Sequence, residues 1–519
     1  MKTESLSRRG LLKAAAGAGA ASALPAVQAF ERPRLLKAEE LDSIAAPFSA
    51  PDGRVAHLLH RATYGVRPGE LERARTMGIE AWLDEQLHPE RIDDAEAEAE
   101  VAKLFPTLRR SAQELFKKAD DDHDGGWTIA LELKKAAVLR ALRSKRQLYE
   151  VMVEFWSNHF SMFHFKDGLA VLKTVDDRDV TRRFALGKFR EILLASARSP
   201  AMLTYLDNED NVAAGPNENY ARELMELHAI GVDAGYTQQD VREVARCFTG
   251  WTVDYRDEGT DGNFLFDPDA HDFGPKRVLG VAIAGGEPGV LDGRRVIEAL
   301  ARQPACARHI SAKLCRRFVS DVPPESLVSR AAAAFTATGG DVRAVLKTIL
   351  LSEEFFAAPE AKLKRPFEFL LSALRALEAE VTAEGLENLI WSLYPLGQVP
   401  FHWEPPNGYP DVGAAWANTN GLMNRWNLAS SLVLDWWEGV TIPVEPIVAR
   451  TGARTAAALV DALALRLLQR PFDPPDRTRL IDYVAQGRPA TARLPLWYIH
   501  QQAPGLIALI LGSPYFQWR

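Results

Sequence analysis

Cysteine is scarce in this chain, with three residues, Cys247, Cys306 and Cys315, among 519. Three thiols cannot make a disulfide framework, and without CxxC or CxxCH spacing the usual zinc and c-type haem motifs are excluded. A Walker loop, a GxGxxG between strand and helix, and a GxSxG nucleophile elbow are missing too, so nothing signals nucleotide binding or serine hydrolysis. Basic residues are not in surplus. Lys+Arg 62 against Asp+Glu 69 gives a formal charge of −7, which excludes the electrostatic footprint of a nucleic-acid-binding protein. Past the first thirty residues no apolar run nears the roughly 20 residues of a membrane helix; Leu506 to Leu511 is the longest candidate. Period-two alternation, the strand signal, is confined to Trp251–Tyr255 and Asn263–Phe266.

What is present begins at the N-terminus. Ser7-Arg8-Arg9-Gly10-Leu11-Leu12-Lys13, an Ala/Gly-rich stretch to Leu24, and Val27-Gln28-Ala29 together read as a twin-arginine signal peptide over residues 1–29. The expected product is a periplasmic or secreted protein with no membrane span once the leader is removed. The twin-arginine route carries folded proteins, which leaves a metal ion or cofactor open. The rest has globular composition, 47% hydrophobic and 25% charged. Apolar residues recur at three- and four-residue intervals over Glu70–Leu87, Trp127–Phe163, Arg178–Ala197, Asn219–Ile230, Gln238–Phe248 and Ala307–Val319, and again over Leu327–Phe335, Val342–Phe356, Phe367–Leu377, Gly413–Trp437, Ala456–Leu468 and Leu496–Leu511. The fold expected is mainly α, a large multi-helix body with long loops and few short strands. Residues 30–438 would form the main helical domain and residues 439–519 a C-terminal helical unit packed on it.

The densest polar run is Asn217 to Gly231, NENYARELMELHAIG. Glu218, Arg222 and Glu226 form a charged row at four-residue spacing, beside Asn219, Glu223 and His228. The run is no HExxH zinc site, because Glu223 and His228 are five apart. Either the charges make an ion ladder along one helix, or they build a site. Phe155 to Phe165 is aromatic enough to be buried, so Asn158 and His159 must be hydrogen-bonded there. His271 and Lys276 stand in a long Gly/Asp/Pro-rich loop, and Asn407 in the rigid run FHWEPPNGYP. Asp120-x-Asp122-x-Asp124-Gly125 matches half of a calcium loop, but Leu131 occupies the position of the closing Glu, so an acidic loop is expected.

Taken in order, HLLHRATYG, FWSNHF, NENYARELMELHAIGVDAGYTQQDV, FTGWT, HDFGPKRVLG, SAKLCRRFV and PPNGYPD resemble the bacterial family called domain of unknown function 1800, from about His57 to Arg519. The resemblance implies an exported, mainly helical protein, often encoded beside members of domain of unknown function family 1501, which makes such a protein the expected partner. It implies no activity. Two readings stand. One is an enzyme whose site combines Arg222, Glu223, His228 and His159 as catalytic candidates with Asn158, Asn219, Glu226, His271, Lys276 and Asn407 as binding residues. The other is a partner or assembly module in which the same charges knit helices together.

Overall fold

The computed structural model describes Ala46 and residues 53–166, 168–255, 262–286 and 288–519. The twin-arginine segment lies outside the described residues. Residues 43–519 make one compact unit, and one contiguous apolar core runs through it from Leu58 to Phe516. The architecture is mainly α, with the strands gathered in three two-stranded antiparallel sheets.

Helical periodicity finds the helices but not their breaks, which follow local chemistry. Glu70–Leu87 is two helices parted at Gly78, whose φ is +84°. Trp127–Phe163 divides at residues 144–146 into α2 (Trp127–Arg143) and α3 (Gln147–His159), downstream of α1 (Arg54–Ala62). Next come α4 (Leu169–Asp176), which widens into a π-helical turn over Asp177–Arg182, and α5 (Asn219–Glu223), which widens over Leu224–Ala229. α6 (Gln238–Cys247) opens on a capping box in which Thr237 and Asp240 satisfy each other's backbone amides. Both expected strands form and pair, β1 (Trp251–Asp254) with β2 (Asn263–Phe266). The long loop after them also folds, into the hairpin β3 (Lys276–Val278) and β4 (Val281–Ile283). Leu279 and Gly280 between them both have positive φ, as a tight primed turn requires.

α7 (Val290–Ala301), α8 (Pro304–Phe318) and α9 (Pro366–Ala376) continue the body, followed by α10 (Thr419–Val433), α11 (Ala456–Leu468) and α12 (Leu496–Gly512). α12 packs on α10 and α11, and Trp426 of α10 donates its indole N–H to the Gly512 carbonyl at 2.9 Å. The three cysteines are free and buried, and Cys306 and Cys315 share α8. The acidic run 120–124 is not a loop. Asp120 and Asp122 end the helix Ala112–Asp122, and Asp124 caps α2 by accepting the amides of Gly126 at 2.8 Å and Thr128 at 2.9 Å.

The centre of this body holds charge. Glu368 on α9 is 2% exposed and receives the guanidinium groups of Arg317, Arg365 (3.1 Å) and Arg519 (2.9 Å), as well as the Arg365 amide. Burial opposes a charge there, but Arg317, Arg519 and Arg365 overrule it and hold the carboxyl well below the usual range. Arg365 reaches onward to Glu154 of α3 at 2.6 Å, which joins this ionic centre to the wall of a cleft.

Candidate functional site

α2, α3, the π turn after α4 and residues 398–409 line a cleft of about 70 Å³. α3 explains how a polar face arises on an aromatic helix. Leu148, Val151, Met152, Phe155 and Trp156 bury its other sides, while Glu150, Glu154 and Asn158 recur every fourth residue and face the cleft with Ser157 and Ser161. The opposing wall is apolar and aromatic, from Met162, Phe367, Phe401, Trp403 and Tyr409. Asn158 clamps that wall, donating to the Tyr409 carbonyl at 3.0 Å and accepting the Tyr409 amide at 2.7 Å. Gly408 permits the approach: its φ is +73°, and a Cβ there would sit 2.1 Å from the Asn158 carbonyl. Phe401 takes a φ of +60°, an uncommon conformation for a bulky residue, which costs about 1–3 kcal/mol and recurs at ligand clamps. His164 holds it there by donating Nδ1–H to its carbonyl at 2.6 Å.

Most charges in the cleft are paired. Glu150 accepts both terminal nitrogens of Arg182, at 3.0 and 2.5 Å. Burial weakens the Arg182 charge, but Glu150, with Tyr149 and Asp177 behind it, holds the guanidinium well above its ordinary value. Asp177 is the exception. It is 5% exposed, opens the π turn, and its carboxylate has no direct hydrogen bond or ion pair among the described residues. π turns of this kind are rare and gather at functional sites.

The second π turn carries Glu226 and His228. Widening sends the Ile230 amide to the Met225 carbonyl at 3.0 Å, five residues back. Two histidines then satisfy the late carbonyls: His159 of α3 donates Nε2–H to His228 at 3.0 Å, and His309 of α8 donates to Leu227 at 3.1 Å. Gly231, φ +84°, is needed because a Cβ would meet His309 Nδ1 at 2.9 Å. His159 thus caps a helix end. Burial first, then Lys313 and His309, pushes His228 down to about 3, and burial with Lys313, His228 and His309 puts His159 well below its usual value. Both are neutral at pH 7, and His159 Nδ1 and His228 Nε2 have no hydrogen-bond partner among the described residues.

The other named residues fall in three places. Arg222 bonds Glu218 at 3.0 Å and Gln238 at 3.0 Å, so one rung of the expected ion ladder forms and the rung to Glu226 does not among the described residues, while Asn219 donates to the Leu206 carbonyl and to Asp207. Glu223 and Glu226 are half-buried without a salt bridge among the described residues; burial, then the like charge of Glu226, raises the Glu223 carboxyl. Asn407 is exposed beside the cleft wall and accepts the Trp403 indole N–H at 3.0 Å. His271 and Lys276 belong elsewhere. Both turn to Asp292 of α7, Lys276 at 2.7 Å and His271 at 3.5 Å, and His271 also donates Nδ1–H to the Thr249 carbonyl at 2.7 Å. Their contacts do not lead to His159, His228 or the cleft. Among the described residues no three His, Cys, Asp or Glu side chains converge to hold a metal ion.

Asn158 is therefore the one named residue that lines the cleft. Glu150, Glu154, Asp177, Arg140, Arg182 and Gln398 also line it and were not singled out from the sequence. Their signal was available for α3, as a polar row at four-residue spacing in a helix otherwise apolar. For Asp177 no such signal exists, because its burial follows from a π turn.

The family described as "Protein of unknown function (DUF1800)" matches residues 57–518. The chain belongs to that family. No curated protein and no solved structure matches it.

Proposed function

We propose that this DUF1800 family member is exported by the twin-arginine route and, in the periplasm or beyond, binds and transforms a small polar organic molecule in the cleft between α2, α3 and residues 398–409. One observation carries the reading: the carboxylate of Asp177, a residue 5% exposed, opens into the cavity with no direct hydrogen bond or ion pair among the described residues, where the other carboxylates are paired. A ligand donor that replaces solvent on such a group gains a charge-assisted hydrogen bond in a largely apolar cleft. The aromatic wall would take the ligand's apolar face, and Ser157, Ser161 and Gln398 would orient it. Asp177 is then placed to accept a proton from the bound molecule, and the Arg182 guanidinium to stabilise negative charge that develops beside it.

In a thermal-shift screen of hydroxy acids, amino acids, sugars and sugar phosphates, at least one compound should raise the melting temperature by several degrees. Ser157→Leu, which fills the cleft, should abolish that shift and leave the unliganded protein folded. A screen with no hit, or a shift that survives Ser157→Leu, overturns the reading. Export is checked separately. Arg8→Lys with Arg9→Lys should hold the precursor inside the cell, and unchanged export would refute the leader assignment.

A second reading has its own support. Glu223 and Glu226 are like charges half out of water, and neither forms a salt bridge among the described residues, which suits a lysine or arginine from a secreted partner, with a protein of domain of unknown function family 1501 as the candidate. In that case Arg222, Asn219 and His228 shape a docking face and do no chemistry.

A further inference from the structure

Behind the cleft, Arg140, Asp177 and Arg182 form a wall shared with a second cavity of about 280 Å³. Arg146, Arg178 and Arg183 complete its basic lining, against which stand only the carboxylates of Glu98 and Asp177 among its lining residues. Five guanidinium groups thus share the basin's lining with two carboxylates, and Glu150 and Asp179, just outside that lining, pair with two of the five.

The donors can be followed one by one. Arg140 Nη2 reaches Glu98 at 3.3 Å. Arg182 is taken by Glu150, Arg178 by Asp179 and the carbonyls of Leu108 and Arg110, and Arg146 by the carbonyl of Ile92. Arg183 lies over the Phe184 ring and makes no hydrogen bond among the described residues. After these pairings two buried donors of the basin remain without acceptors among the described residues. One is Arg140 Nε. The other is the hydroxyl of Thr174, a residue 1% exposed. A helical threonine commonly bonds the carbonyl four residues back, and this one does not.

Two orphaned donors from different helices, amid a surplus of guanidinium charge, lack one thing: an acceptor with several oxygens. We infer that the basin is an oxyanion site and that the cleft's ligand is a phosphate or sulfate ester, its tetrahedral group held by Arg140 and Thr174 and its organic part lying in the aromatic cleft. Arginine suits this role because its planar fork matches the oxygens of phosphate and stays charged at any physiological pH. The organic half of the inference rests on the cleft reading; the anion half stands without it.

Isothermal titration calorimetry with sodium phosphate, and separately with sodium sulfate, at fixed ionic strength in chloride tests the basin alone. One saturable site is expected for at least one of the two anions, with a Kd of about 1 mM or tighter. Arg140→Gln should abolish it. Thr174→Val removes one hydroxyl and keeps the shape; it should weaken binding about tenfold, while the melting temperature without anion stays level or rises. Ser157→Leu should leave phosphate or sulfate binding intact, so loss of the organic ligand in that variant speaks to the cleft and not to the basin. Absence of saturable heat with both anions, or equal affinity in wild type and Thr174→Val, overturns the site.

Discussion

Glu368→Ala should lose at least about 3–5 kcal/mol of stability or fail to fold, because it strands buried guanidinium groups without a counter-ion. Three arginines converge on that carboxylate, and Arg317, Arg365 and Arg519 are each 3% exposed or less. Glu154 also accepts from Arg365, but it cannot serve all three. The exposed pair Arg54–Glu353 is the control: it is as short, at 2.5 Å, but its side chains are 55% and 77% exposed, so Glu353→Ala should change stability by less than about 1 kcal/mol. Urea denaturation of both variants at pH 7 gives the comparison. Equal losses would mean that the ionic centre adds nothing that a surface pair does not. The sign with pH also follows. The Glu368 carboxyl is held low in the folded chain, so its contribution is fully present above the unfolded value near 4.3 and fades as pH falls toward the depressed folded value.

Mild acid should unfold this protein through its buried histidines. His57, His159, His164 and His228 are each 6% exposed or less. Burial is the first cause of each shift, taking His57 to about 2, His164 and His228 to about 3, and His159 well below its usual value. In the unfolded chain all four would bind protons near pH 6.5, while the folded chain refuses them until much lower. The unfolded state therefore binds more protons below pH 6.5, and stability falls as pH drops, by about 1.4 kcal/mol per unit for each histidine. At pH 5 that is about 2 kcal/mol each and roughly 8 kcal/mol together, against a total stability of about 5–15 kcal/mol for a folded protein. Circular dichroism followed from pH 7.5 downward should show cooperative unfolding with its midpoint above about pH 4. A native spectrum that persists to pH 3.5 would contradict the neutral burial of these rings.

The fold class was legible because helical periodicity depends on burial, which a sequence displays directly. The breaks at Gly78 and residues 144–146 and the two π turns were not, since an apolar stripe continues across them. The candidate site was less legible. The run from Asn217 to His228 looked like chemistry because its polar residues are close in sequence, but the fold distributes them: Arg222 to a surface ladder, His228 to a buried layer capped by His159, and Glu223 to an unpaired acidic patch. His271 and Lys276 looked like loop residues of a site, yet their partner Asp292 lies on a helix sixteen residues beyond Lys276, and a contact of that kind leaves no periodic trace. Asn158 was legible because an amide among so many aromatics must be hydrogen-bonded, and in the structure it is half-buried and bonded twice to Tyr409.

The wide turn at 224–229 has a consequence for insertions and deletions. A π turn holds one residue more than the α-helical repeat accommodates. Removing a single residue there would let the segment rewind into ordinary helix, and the residues after it would keep the faces they now present, because the wide turn has already absorbed the extra residue. The same deletion in an unbroken helix would rotate everything after it by about 100°, the angle between successive residues at 3.6 per turn. The side of the chain that Gly231 turns to His309 would therefore survive a gap placed inside the turn and be lost with one placed in α8 before His309. In this window a one-residue gap changes the turn itself far more than it changes which side of the helix meets its neighbours.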